Sequence, residues 1–111
     1  MSHTYTGTTP AADVEATLKW LDGRWKLVIL FHLFGGKVQR YSDLERLIPD
    51  ISQKMLAQQL RQLEADGLVQ RTVYPVVPPK VEYRLTDWGQ SLCPVLDGLL
   101  KWRAAKPEDV I

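Results

Sequence analysis

ISQKMLAQQLRQLEADGLVQR, which runs from Ile51 to Arg71, is the stretch of sequence that decides the fold. Its leucines recur at helical spacing, so that at about 100° per residue they share one side of a helix. Those leucines are Leu56, Leu60 and Leu63. Ser52 is placed to cap the start of this helix, and Gly67 is placed to end it. We therefore predict an amphipathic helix with one buried side.

The opposite side of this helix carries polar residues that suit a DNA reader. Lys54, Gln58 and Arg61 fall there, and Ser52 and Gln53 lie in the exposed first turn. Lysine and arginine can donate to guanine, glutamine can pair with adenine, and free N–H groups at a helix start suit phosphate. Any solvated helix can also carry such residues. This side alone therefore does not distinguish a DNA reader from a solvated surface.

A second, shorter helix precedes it. Ser42 is expected to cap the segment SDLERLI, with Glu45 three residues further on completing a capping box, and Pro49 is expected to close the helix. The turn IPDI then joins this helix to the longer one. A short helix, a tight turn and a longer helix form the helix-turn-helix pattern.

A hairpin is predicted after the helix pair. LVQRTVYP and KVEYRLT are β-branched and aromatic runs, and the adjacent prolines of VVPPK force an extended loop between them. This wing supplies Arg71, Lys80 and Arg84 from a second element that could contact a phosphate backbone. Together with the helix it favours DNA binding over simple solvation.

Three more helices complete the expected fold. The first spans Asp13 to Trp20 and stops at Gly23, and the second, RWKLVILFHLFGG, is apolar almost all round and is expected to be buried. The last begins with Thr86 as its cap, and its interior Pro94 and Gly98 should bend or weaken it. The order predicts a mainly α winged helix-turn-helix with a small β-hairpin. It forms one domain over 11–105, between flexible ends at 1–10 and 106–111.

Length and composition bound the function. The 111 residues suit one domain, and a formal net charge of +1 excludes DNA binding by bulk charge alone. No apolar run reaches the ~18 residues of a membrane span, and the N-terminus lacks the features of a signal peptide. Cys93 is the one cysteine and cannot close a disulfide within the chain. These features predict a cytoplasmic protein that does not associate with a membrane.

The segments LDGRWKLVILFHL, ISQKMLAQQLRQLEADGLVQRTVYPVVPPKVEYRLTDWG and LLKW resemble the HxlR family of bacterial transcriptional regulators, relatives of the MarR group. The resemblance covers nearly all of Val14 to Trp102. It implies a homodimer that pairs through its first and last helices and binds a pseudo-palindromic operator, with Ser52 to Arg61 as the recognition helix and VVPPK as the wing tip. The residues expected at the dimer interface are Val14, Leu18, Leu92, Leu96, Leu99, Leu100 and Trp102.

The sequence departs from the family at the sensing position. Several redox-sensing members have a Cys-Pro-Val-Glu pattern before the first helix, where this chain has Ala12, Asp13, Val14 and Glu15. Cys93 could replace that sensor, but a lone cysteine on an apolar stripe more often serves packing. A small-molecule effector is the other hypothesis for the signal. The tryptophans could line its pocket between subunits or could serve core and dimer packing; they are Trp20, Trp25, Trp88 and Trp102.

No pattern in the sequence indicates an enzyme, a metal site or a cofactor. His3 and His32 form no triad or metal-ligand spacing with Cys93 or a carboxylate, and Gly35-Gly36-Lys37 lacks the rest of a phosphate loop. The acids Asp43, Glu45 and Asp50 are explained by capping and solvation. The rival function is a winged-helix module for protein pairing alone. Acidic or apolar residues on the reading side would favour it, but Glu64 and Asp66 lie at the far end of the helix.

Overall fold

The computed structural model describes residues 9–108, and in this range helices surround a small antiparallel sheet. The predicted winged helix-turn-helix is confirmed. The elements are α1 (Pro10–Lys19), α2 (Lys26–Leu33), β1 (Gln39–Arg40), α3 (Tyr41–Leu47), α4 (Gln53–Ala65), β2 (Val69–Tyr74), β3 (Lys80–Leu85), α5 (Asp87–Gln90) and α6 (Cys93–Ala104). Of the two predicted flexible ends, residues 1–8 and 109–111 lie outside the described residues, and α1 already begins at Pro10, with Thr9 as its N-cap.

One hydrophobic core joins the helix pair to the sheet. The three leucines of α4 point into it, together with side chains from α2, α3, the sheet and α6. Burial of each large aliphatic side chain contributes roughly 1.5–3 kcal/mol. The fully buried side chains at its centre are Ile29, Leu30, Leu33, Leu44, Leu56, Leu60, Leu63 and Val69.

Both predicted ends of α4 are confirmed. At its start, the main-chain N–H of Met55 donates to the Ser52 hydroxyl at 3.1 Å. At its end, Gly67 has a φ of +80°, which residues with a Cβ adopt only with strain. The N–H of Leu68 then donates to the Leu63 carbonyl at 3.0 Å, so the chain turns directly from the helix into β2.

The predicted cap of α3 is wrong. Ser42 is not the N-cap, because α3 already begins at Tyr41 and Arg40 occupies the capping position. The Asp43 carboxylate accepts the main-chain N–H of Arg40 at 2.9 Å, and an acid at this place also complements the positive end of the helix. Ser42 is therefore exposed and uncommitted to capping. The predicted end before Pro49 is confirmed.

The hairpin is confirmed, and the sheet has a third strand that the sequence did not reveal. Strands β2 and β3 pair antiparallel from Val69–Leu85 to Tyr74–Lys80. Strand β1 pairs with the other edge of β3, which places Gln39 opposite Tyr83 and Arg40 opposite Glu82. β1 therefore ties the middle of β3 to the start of α3.

Two helical expectations need correction. Helix α2 is not buried all round, because the elements that pack on it cover one side and leave Leu27, Val28 and Phe31 exposed. The last helix is not one bent helix but two, since α5 ends at Gln90 and α6 starts at Cys93. Pro94 lies in the first turn of α6, where no helical hydrogen bond is lost, so it starts a helix instead of bending one.

Helix α5 packs unusually closely on the junction between α4 and β2. Thr86 caps α5 as predicted, accepting the Gly89 N–H at 2.9 Å. The Thr86 hydroxyl also donates to the Gly67 carbonyl at 2.6 Å, and its main-chain N–H donates to the Leu68 carbonyl at 3.1 Å. Gly89 faces Leu68 so closely that an added Cβ would lie 2.1 Å from the Leu68 carbonyl oxygen. These contacts hold the turn between α4 and β2 in place.

Candidate DNA interface

The exposed side of α4 is the centre of the candidate interface. Each residue predicted to read DNA from this helix is exposed, while the leucines of the opposite side are buried. The exposed residues are Ser52, Gln53, Lys54, Gln58 and Arg61. The predicted orientation of the helix is therefore correct, and its polar side is free to enter a groove.

Tyr41 holds the start of α4 against α3. Its hydroxyl donates to the main-chain carbonyl of Gln53 at 2.6 Å. Burial, and then the nearby Glu45 carboxylate, raise the pKa of the Tyr41 hydroxyl, so it stays a protonated donor at neutral pH. Sequence reasoning missed this residue, because a tyrosine at a helix start gives no local sign of a partner twelve residues away.

The hairpin divides the predicted wing cations between two faces. Arg71 pairs with Tyr83 in the β2–β3 register, on the face that packs toward the core. There it meets Arg61 across a concavity of about 310 Å³ between α4 and the sheet. The rest of this concavity is lined by Ala57, Leu60, Glu64 and Tyr83. Helix and wing thus each contribute one arginine to the same concavity.

Lys80 and Arg84 lie on the other face of the hairpin, where both contact one carboxylate. Lys80 Nζ is 3.2 Å from Glu82 Oε2, and Arg84 Nη2 is 3.4 Å from Glu82 Oε1. A hydrogen bond from the Tyr74 hydroxyl, followed by the contact with Lys80, lowers the pKa of Glu82. Sequence reasoning missed this acid, although the alternation in KVEYRL places Lys80, Glu82 and Arg84 on one face of the strand.

Ser42 takes part in a second concavity, also of about 310 Å³, between the start of α3 and the tip end of the wing. Arg40 and Lys80 line it together with Ser42, so a hydroxyl and two cations lie around one hollow. The hydrogen bond from the Arg40 N–H lowers the pKa of Asp43 just behind it. Arg40 was not predicted as a site residue, because its strand is only two residues long.

The geometry of helix pair and wing agrees with the comparisons to known proteins. The family model described as HxlR-like helix-turn-helix matches residues 20–109. The chain belongs to this family. The HTH-type transcriptional regulator YtcD of Bacillus subtilis (strain 168) is 59% identical over 92 residues, which cover 83% of this chain and 72% of YtcD.

Solved structures extend the match to the fold of this HxlR-like protein. The crystal structure of ytcD superposes with a TM-score of 0.76 at 57% identity, covering 82% of this chain and 92% of that one. A MarR-family regulator from Enterococcus faecalis V583 gives 0.83 at 34% identity, covering 92% of each chain. The redox regulator HypR in its oxidised form gives 0.74 at 43% identity, covering 86% and 98%. The HxlR-like chain is thus a DNA-binding transcriptional regulator and not an enzyme.

The HxlR-like chain also carries a large apolar surface on α1 and α6. No residue of α1 is buried, and Leu96 is the one buried residue of α6. Between the two helices runs a groove of about 530 Å³. Of the residues expected at the dimer interface, Leu92 is half-buried and Leu96 packs in the chain's own core, so Leu96 has little surface left for a partner. The exposed ones are Val14, Leu18, Leu99, Leu100 and Trp102.

The two candidate sensing features of the HxlR-like chain are Cys93 and the four tryptophans. Cys93 is half-buried and packs against the core. The four tryptophans do not meet at one place: Trp20 and Trp88 contact edge to face at 5.5 Å beside a cavity of about 150 Å³, whereas Arg24 lies over Trp25 and Trp102 is exposed.

Residues 9–108 lack two other kinds of feature, a membrane-spanning helix and a cluster of metal ligands. In that range no helix is long and apolar enough to cross a membrane. The same residues contain no group of three or more His, Cys, Asp or Glu side chains that could hold a metal ion. His32 is half-buried on α2, and His3 lies outside the described residues.

Proposed function

We propose that this regulator binds a pseudo-palindromic operator as a homodimer, with α4 in the major groove and the hairpin on the phosphate backbone. The observation that carries the proposal is the meeting of the exposed side of α4 with the wing, where Arg61 and Arg71 line one concavity. Arginine and glutamine on such a helix suit base edges, and cations on a neighbouring hairpin suit phosphate. The base contacts would specify the sequence and the wing would fix the register.

The homodimer is supported by the apolar surface of α1 and α6. Two helices that bury almost nothing within their own chain are poorly explained in a monomer, because large exposed apolar patches mark interaction surfaces. A second copy related by a two-fold axis would cover the same groove on both chains. It would also place two recognition helices about one turn of DNA apart, near 34 Å.

A binding titration against a random duplex library at several salt concentrations tests the proposal. Selection from the library should return a two-fold symmetric site, and affinity for all duplexes should fall as salt rises, because phosphate contacts release counterions. Absence of binding at every salt concentration would instead support a winged-helix module that serves only protein pairing. Asymmetric selected sites would contradict the homodimer.

The reading side of α4 gives a first prediction. Gln58→Ala or Arg61→Ala should each lose roughly 1–3 kcal/mol of discrimination at one base position, because the side chain that pairs with that base is gone. Both residues are exposed, so the fold should be unchanged. Gln62→Ala, an exposed change further along α4, is the matched control.

Selected sites of the two α4 variants provide the measurement. Loss of preference at one base position, with affinity for unrelated duplexes kept, is the expected pattern. An equal loss on all sequences would identify a phosphate contact. Unchanged binding in both variants would remove this side of α4 from the interface.

The wing gives a second prediction. Lys80→Ala should weaken binding to every duplex and reduce the magnitude of the salt slope by about one, because one phosphate contact is lost. Preference for the operator should persist. Lys106→Ala removes the same charge from an exposed position after α6 and should leave the slope unchanged. A slope equal to that of the unaltered protein would mean that the hairpin tip does not approach phosphate.

If a small molecule controls binding, the cavity of about 150 Å³ beside Trp20 and Trp88 is large enough only for a very small one. Leu68, Leu92 and Val95 line it with the two indoles, so a small apolar molecule is the effector that it suits. Quenching of tryptophan fluorescence during a ligand titration would detect such binding. A redox role for Cys93 has weaker support, because its side chain is half-buried in packing. As a DNA-binding transcriptional regulator, the protein would act in the cytoplasm.

A further inference from the structure

Glu82 is an acidic residue on a hairpin that is proposed to contact DNA phosphates. A carboxylate on a DNA-binding hairpin repels the phosphates that the hairpin is expected to approach. Yet Glu82 lies between Lys80 and Arg84, the two cations on this face of β3, and its side chain is only 16% exposed. Strand β1 places Arg40 opposite it in the sheet register. The acid is thus surrounded by the residues that would contact the DNA backbone.

The pairing of cations with acid at the interface is confined to this face. On the other side of the hairpin, Lys54, Arg61 and Arg71 have no carboxylate within 4.0 Å among residues 9–108. Lys80 and Arg84 in contrast share one acid. The two sides of the wing therefore differ in how freely their positive charge is offered to DNA.

The contacts of Glu82 are long enough to be exchanged. Charge-assisted hydrogen bonds to carboxylates are usually about 2.7–2.9 Å. The distances from Glu82 to Lys80 and Arg84 are 3.2 and 3.4 Å. Both cations are still more than a third exposed, so a phosphate oxygen can reach them and replace the carboxylate.

We propose that Glu82 competes with DNA phosphate for Lys80 and Arg84 and so limits the sequence-independent part of DNA binding. This inference rests on the proposed function, because it assumes that the wing contacts the backbone. The competition weakens binding to operator and to unrelated DNA alike, since both present the same phosphates. It shortens each encounter with unrelated DNA and leaves base reading to α4.

The test replaces Glu82 with glutamine and measures binding to a fluorescent random-sequence duplex by anisotropy at about 50–200 mM salt, the range over which affinity from phosphate contacts falls steeply. Glu82→Gln should bind roughly three- to tenfold more tightly at the lowest salt, because a unit charge near the phosphate is removed. The gain should shrink as salt rises. Glutamine keeps the size of the side chain and can still accept from Tyr74.

Matched variants separate competition from net charge and from misfolding. Glu108→Gln makes the same charge change at an exposed position after α6 and should alter affinity less than twofold. Glu82→Thr, which suits a strand, should tighten binding in the same direction as glutamine. When Lys80 is already alanine, the gain from Glu82→Gln should fall by about half or more, because one of the two competing cations is absent.

Three results would contradict the competition between Glu82 and DNA phosphate. Unchanged or weaker binding by both Glu82 variants, with native far-UV circular dichroism, would overturn the competition. So would a gain no larger than that of Glu108→Gln, or a gain undiminished in the Lys80→Ala background. Failure of the unaltered protein to bind the random duplex at low salt would instead defeat the proposed function.

Discussion

Replacing Gly89 with alanine is expected to cost at least about 3 kcal/mol of the free energy of unfolding. An added Cβ would lie 2.1 Å from the Leu68 carbonyl oxygen and 3.0 Å from its carbon, both main-chain atoms that no rotamer change can move. Overpacking of a core usually costs about 1–3 kcal/mol, and a clash with backbone belongs at or above the top of that range. Helix α5 would have to separate from the junction between α4 and β2.

Urea denaturation followed by circular dichroism measures this loss. Gly98→Ala is the matched control, because it adds the same methyl group to a helix where no atom lies within 4 Å. Its stability should be equal or up to about 1 kcal/mol higher, since alanine favours helix over glycine. A Gly89→Ala midpoint equal to that of the unaltered protein would mean that α5 does not pack on Leu68 in solution.

Removing the chain from Leu99 onward should abolish both dimerisation and operator binding. Leu99, Leu100 and Trp102 are 53%, 54% and 78% exposed, so they add little to the core of their own chain. Their loss would remove apolar surface that a second copy is proposed to cover. Binding one half-site instead of two should weaken operator affinity by roughly 10²–10⁴-fold, because the second contact is no longer intramolecular.

Sedimentation equilibrium at micromolar concentration is the measurement for the truncated and the intact chain. A chain that ends at Ala105 keeps all of α6 and should remain a dimer. The truncated chain should keep the circular dichroism signal of its remaining helices, because the core residues identified in the fold precede Leu99. An intact chain that is monomeric with and without DNA would defeat the idea, and a truncated chain that simply unfolds would indicate that α6 supports its own subunit.

The elements with strong local patterns were predictable from the sequence. Three such patterns each predicted an element correctly. They are the leucine spacing of α4, the Ser52 cap and the two β-branched runs of the hairpin. Where two possible N-cap positions lie two residues apart, local chemistry does not decide which one starts the helix. Ser42 is a good cap in isolation, but β1 brings Arg40 to the edge of the sheet and Asp43 takes the capping contact instead.

Features that depend on distant partners could not be predicted in this way. Strand β1 is two residues long and exists only because β3 offers a free edge. An apolar helix such as α2 does not reveal whether its second side faces a core or an open surface. In the candidate site, the exposed side of α4 followed from periodicity, whereas the hydroxyl of Tyr41 found its acceptor only through the packing of α3 on α4.

The Tyr41 contact allows the exposed residues of α4 to be substituted without loss of the bond that docks the helix. The hydroxyl holds the carbonyl of Gln53 and not its side chain, so the anchor is indifferent to which amino acid stands at that position. The contact that docks α4 on α3 is therefore independent of the side chains that α4 exposes. New combinations at positions 53, 54, 58 and 61 can be exchanged on an unchanged frame, which makes this helix a replaceable cassette for designing regulators with other targets.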